Sequence, residues 1–235
     1  MKRRYFSILF LIFIAAARVL VSDKSIDAMK SLLAGGGAEA KKDMPTVVID
    51  PGHGGRDPGK VGVNGALEKD INLAIALKLK NLLEQNDVRV IMTRTEDTGL
   101  YSENDSNKKK SDLDKRIDII NSSGALFAVS IHQNSFSQSG VKGAQVFYHS
   151  QSEQGRKLAE ILQKQLIETI DDGNRRKAKS NTSYYLLKHT TCPLVIVECG
   201  YLSNHREAEL LLDEEYQEKM AWAIHLGIMQ WISMN

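Results

Sequence analysis

From residue 46 onward, short apolar runs rich in β-branched side chains alternate with glycine turns and stretches of helical period, and no other feature narrows the fold so far. The runs fall at 47–49, 88–92, 126–131, 144–148 and 194–197 and are almost free of charge, the pattern of strands buried on both faces. Between them, residues 68–85 set Ile71, Ala74, Ile75, Leu77, Leu79, Leu82 and Leu83 on a helical repeat. Residues 111–121 open with Ser111 as a helix cap, and 153–170 and 214–232 repeat the helical period. The alternation predicts a single α/β domain, with a twisted, mostly parallel or mixed sheet of about six strands and helices on both faces. Residues 98–110, with Glu103, Asn104, Asp105 and three lysines, predict a solvated loop.

Ahead of this domain, Lys2, Arg3 and Arg4 precede an apolar stretch that has the order of a secretory signal. At about 13 residues it is shorter than the roughly 20 needed to cross a bilayer. The expected organisation is a signal peptide or N-terminal membrane anchor over 1–25, a glycine-containing linker over 26–44, and a folded domain over 45–235. The expected destination lies across the cytoplasmic membrane. Lys and Arg number 31 against 29 Asp and Glu, a net charge of +2 that argues against nucleic-acid binding by bulk electrostatics. Two cysteines, Cys192 and Cys199, exclude a disulfide framework and read as free, buried thiols.

Three of the predicted strands end in groups that bind metals or move protons. The first runs into Asp50-Pro51-Gly52-His53, another ends Ile131-His132-Gln133-Asn134, and the last ends Val197-Glu198-Cys199-Gly200. Open α/β sheets place their sites at the carboxyl ends of strands. Glu68, at the start of the first helix, is a further candidate. Two imidazoles and a carboxylate suit one zinc ion with an open position for water, and Glu198 is left over as a base. Any one of these residues is ordinary, since strand-end histidines are mostly structural and a glutamate at a helix start favours the dipole. The joint pattern is far rarer. His149, His189, His205 and His225 lack such surroundings and read as structural.

Gly54 through Lys60 also matches the opening of a phosphate-binding loop after a strand. Val61 stands where a magnesium-binding hydroxyl belongs, and Pro58, Gly62 and Gly65 extend the loop where a helix should begin. No nucleotide is expected.

The segments Ile49-Asp50-Pro51-Gly52-His53-Gly54-Gly55, Glu68-Lys69-Asp70-Ile71-Asn72-Leu73, Met92-Thr93-Arg94, Ser130-Ile131-His132-Gln133-Asn134-Ser135 and Val197-Glu198-Cys199-Gly200-Tyr201-Leu202-Ser203-Asn204 together resemble the zinc-dependent N-acetylmuramoyl-L-alanine amidases of bacterial cell walls. The resemblance runs from Thr46 to the end of the chain. It implies that His53, Glu68 and His132 hold one zinc ion, that Glu198 is the catalytic base, and that Asn134 lies near bound substrate. Tyr184-Tyr185-Leu186-Leu187-Lys188-His189 and the lysine-rich stretch after Thr98 are similar to the spore-cortex, germination-specific branch. That branch implies removal of stem peptides from muramic acid, the first step toward muramic-δ-lactam, in the space between forespore and mother-cell membranes. The implied substrate is a peptidoglycan glycan strand with its stem peptide. A protein partner for targeting or activation is a further expectation, with Lys108 to Lys110 and Arg175 to Lys179 as basic clusters that could meet it. The rival readings are a wall-binding or regulatory homologue without catalysis, and a zinc carboxypeptidase acting within the stem peptide.

Overall fold

The computed structural model describes residues 44–170 and 173–235. The expected signal segment and all but the last residue of the expected linker therefore lie outside the described residues. Val47, Val48 and Ile49 have no side chain that must reach water, and they form the centre of β1 (Thr46–Pro51), fully buried. The other strands are β2 (Arg89–Met92), β3 (Phe127–Asn134), β4 (Gln145–His149), β5 (Lys179–Asn181) and β6 (Leu194–Tyr201). Their order across the sheet is β2-β1-β3-β6-β4-β5. All neighbours are parallel except β4 and β6, so the sheet is mixed, as the alternating pattern predicted.

Period-2 alternation along the strands divides the core between the two faces. Val47, Ile49, Val129, Val195 and Val197 pack toward α1 (Glu68–Glu84), α3 (Glu153–Ile170) and α6 (Glu214–Ser233). Val48, Ala128, Phe147 and Ile196 pack the other way, against α2 (Lys108–Ser122) and α4 (Tyr185–His189). A short α5 (His205–Leu210) follows β6. The sequence pattern did not anticipate β5, α4 or α5, whose three to six residues are too short to establish a period.

The start of α2 also differs from expectation. Asn107 caps the helix by accepting from the Lys110 amide, and the Ser111 hydroxyl donates instead to Asp105. Asn107 was available four residues upstream, and a capping carboxamide there stops the expected loop short. Nor is the rest of that segment free in solvent. Leu100 N–H donates to Asp112, the Tyr101 hydroxyl accepts from the Arg56 amide, and Asp97 accepts from the Gly55 amide. The first bond ties the segment to α2, and the other two tie Tyr101 and the neighbouring Asp97 to the glycine-rich loop that follows β1. Both cysteines are free; Cys199 is buried and Cys192 partly so, and burial pushes the Cys192 thiol up to about 11.

Candidate active site

Strands β1, β3 and β6 are consecutive in the sheet, so their carboxyl ends bring His53, His132 and Glu198 to one edge. His132 and Glu198 are register partners, and the register slips between His132 and Asn134. Such a bulge beside a site re-aims the side chains that follow it. The chain leaves β1 through Gly52, where a side chain would fall on the His132 ring. His53 itself sits at φ 63, in the left-handed region that non-glycine residues adopt uncommonly and at some cost in backbone strain. Gly59, also at positive φ, lets the loop return close over Glu68 and His53.

Glu68, only 2% exposed, lies between the two imidazoles. Its Oε1 is 2.9 Å from His132 Nδ1 and its Oε2 is 3.2 Å from His53 Nε2. The Gln133 amide donates to Oε1 at 3.1 Å and the Lys60 amide to Oε2 at 2.7 Å. Asn72, one helical turn after Glu68, donates to Oε1 at 3.5 Å and to the Gly52 carbonyl at 3.1 Å. One ligand atom from each of His53, Glu68 and His132 falls within 4.8 Å of the other two. Among the described residues no other His, Cys, Asp and Glu grouping meets that spacing. Two neutralisable imidazoles and a carboxylate, lining a cavity, form a donor set that fits a divalent metal ion with a position to spare.

The charges follow from this packing. Burial opposes a charged His53, yet its contacts with Asp57 (2.9 Å) and Glu68 outweigh that and raise it to about 9. Burial likewise opposes an ionised Glu68, but His132 and His53 hold it well below the usual carboxylate range. A metal held here would compete with a proton for His53. Glu198 is the opposite case. Burial pushes it up to about 7, with Glu68 adding to the rise and the His132 charge resisting it. Its Oε2 has no hydrogen-bond partner, and its Oε1 is 3.5 Å from the Tyr184 hydroxyl. A buried carboxylate with a free oxygen and a pKa near neutrality is suited to accept a proton.

His53, Glu68, His132 and Glu198 line a cavity of about 270 Å³ together with Lys60, Lys109, Asn134 and Tyr184. Asn134 is therefore at the site, although its Oδ1 is engaged by the Ser135 amide. Sequence reasoning missed Asp57, Asn72 and Lys109. Asn72 stands one helical turn after Glu68, a spacing that could have found it, whereas Asp57 follows His53 within an irregular loop. Lys109 carried no such mark. The loop that mimics a phosphate-binding motif turns the Gly55, Gly59 and Lys60 amides onto the carboxylates of Asp97, Asp57 and Glu68. The remaining histidines stand elsewhere. His149 Nδ1 accepts from the Gln151 amide, and His225 is buried and stacked on Trp222.

Residues 47–230 match the family model for N-acetylmuramoyl-L-alanine amidase. The chain belongs to the N-acetylmuramoyl-L-alanine amidase family. It is 38% identical over 190 residues to the germination-specific N-acetylmuramoyl-L-alanine amidase of Bacillus subtilis, covering 80% of this chain and 79% of that one. Among solved structures it is similar to the CwlD amidase of Clostridioides difficile in complex with the GerS lipoprotein, with 43% identity and a TM-score of 0.79 over 81% of this chain and 100% of that one. The catalytic domain of the amidase CwlV from Bacillus (Paenibacillus) polymyxa gives 32% identity and a TM-score of 0.72 over 82% and 100% of the two chains. The resemblance to the germination-specific branch of the amidases is thus borne out.

Proposed function

We propose that this amidase hydrolyses the amide joining the lactyl group of muramic acid to L-alanine with one zinc ion held by His53, Glu68 and His132, and with Glu198 as the base. The observation that carries this reading is the buried Glu198 carboxylate with an unpartnered oxygen, lining the same cavity as the three ligand-type side chains. The chemistry a bound zinc supplies is Lewis-acid polarisation of the carbonyl and an acidified water. Glu198 takes the proton at its free oxygen and delivers it to the leaving amine of L-alanine. The Tyr184 hydroxyl steadies the other oxygen of the carboxylate. Asp57 and the Lys60 and Gln133 amides orient His53 and Glu68. Asn134, on the cavity wall, contacts the substrate.

The biological setting follows the relatives. The Bacillus subtilis relative is named germination-specific and the Clostridioides difficile neighbour was solved with a lipoprotein. We infer a role in spore-cortex maturation, in the space between forespore and mother-cell membranes, with a protein partner for targeting or activation. The basic and then apolar residues at the amino terminus support export through a signal or anchor over 1–25, followed by a linker to the catalytic domain. No helix among the described residues is long and apolar enough to cross a membrane.

Mass spectrometry of cortex peptidoglycan digested with the zinc-loaded enzyme tests the reaction. Free stem peptides beginning with L-alanine, alongside glycan bearing unsubstituted lactyl groups, are the expected products. Shortened stems still attached to the glycan would point to a carboxypeptidase, and unaltered material to a wall-binding homologue.

A further inference from the structure

Beneath the cavity, two buried guanidinium groups hold the end of β1. Arg116, from the middle of α2, is 1% exposed and Arg94, just past β2, is 4% exposed. The Pro51 carbonyl accepts from Arg94 Nε at 2.9 Å and from Arg116 Nη1 at 2.8 Å. The Gly52 carbonyl accepts from Arg94 Nη2 at 3.0 Å. The His53 carbonyl accepts from Arg116 Nη2 at 2.6 Å. Three successive carbonyls at the strand exit are thus fastened by two side chains that stand far from them in sequence. Arg116 is itself fastened, with Nε on Asp112 at 2.6 Å and Nη1 on Asp50 at 2.7 Å. Fully buried Asp50 also accepts from Thr93 and Ser130.

Burying two cations so close together is a costly way to stabilise a fold, since apolar side chains of similar volume do as well or better. What an apolar replacement could not do is hold a non-glycine residue at positive φ. We propose that Arg116 is a positioning residue for His53: by fastening the His53 carbonyl and the strand exit before it, it locks the left-handed backbone that aims the imidazole at Glu68, and so sets metal affinity. A planar fork suits this task because its nitrogens address Asp50, Pro51 and His53 at once, which the single ammonium of lysine cannot do.

This inference rests on the zinc reading of the site, and the experiment separates the two. Zinc affinity is measured by competition with a chromophoric chelator, and unfolding of the metal-free protein is followed in parallel. Arg116→Lys keeps a cation beside Asp50 and is expected to weaken zinc binding about 10- to 100-fold, the range seen when groups that orient metal ligands are altered. Thr93→Val removes a bond to Asp50 without touching any of the three carbonyls, and should leave zinc affinity within about twofold even where the fold is weakened. Asp112→Asn loosens the Arg116 anchor and gives an intermediate loss if Arg116→Lys does not fold. Equal zinc affinity in wild type, Arg116→Lys and Asp112→Asn would overturn the positioning role. So would losses that track unfolding stability alike in all the variants. A wild-type protein that binds no zinc would overturn the metal assignment itself, and this inference with it.

Discussion

Glu198 is distinguished from Glu68 by what surrounds each carboxylate. Both are buried, but Glu68 is flanked by two imidazoles and two amide donors, whereas Glu198 has an oxygen with no partner. These environments suit the proposed division, in which one holds charge and the other moves a proton. Glu198→Gln preserves shape and should lower turnover by roughly 10²- to 10⁴-fold while the zinc content stays that of wild type. Metal analysis of the inactive variant checks this, and a variant that still releases stem peptides at the wild-type rate would remove Glu198 from the mechanism. A base works only when ionised, so activity falls as pH drops through its pKa. Burial holds Glu198 near 7 without metal, and an adjacent dication pulls it down, so the acid limb of kcat/KM should lie below about 7. A limb above that value in the zinc-saturated enzyme would count against this assignment.

At the scale of elements, the exit of β1 depends on a charge network that spans β1, β3, α2 and the turn after β2. Burial disfavours the Asp50 charge, but Arg116 and the Ser130 and Thr93 hydroxyls prevail and lower it from 3.8 to about 2. A carboxylate depressed on folding stabilises the native state above its ordinary pKa, and the contribution is lost as pH falls through the folded value. Asp50 should therefore contribute about 2 kcal/mol at neutral pH, fading between about pH 4 and pH 2. Asp50→Asn is expected to unfold more easily at pH 7 and to lose most of the pH dependence in that acid window, as read from denaturant titrations. An unchanged acid slope would mean that Asp50 is not the group responsible. The elements themselves were legible to different degrees. Strands built on Val47-Val48-Ile49 and Val195-Ile196-Val197 announce themselves by composition, and α1 and α3 by period. The onset of α2 depended on whether Asn107 or Ser111 met a free amide, a choice between two good caps made by the neighbouring Asp105.

For the whole molecule, the ligand-type residues come from β3, α1 and the loop after β1, so a bound ion ties distant parts of the chain together. Anything that binds only the folded form raises its stability by mass action. Free zinc at about 100 times its dissociation constant should add about 2.7 kcal/mol, a rise of roughly 5–10 °C in Tm for a chain of this size. Thermal melts with and without a chelator measure this, and His132→Ala should abolish the difference. A rise that persisted in that variant would locate the ion elsewhere. The amino-acid sequence determined by itself the α/β layering and singled out the four candidate side chains that line one cavity, because strand composition, helical period and residue type at strand ends are local properties written in consecutive residues. Only the tertiary structure decided that Arg116 and Arg94 fasten the carbonyls of Pro51, Gly52 and His53, that Glu198 keeps a bare oxygen, and that Lys109 faces the cavity. Those facts depend on contacts between segments far apart along the chain, and on how much water each group loses when the sheet and its helices close around it.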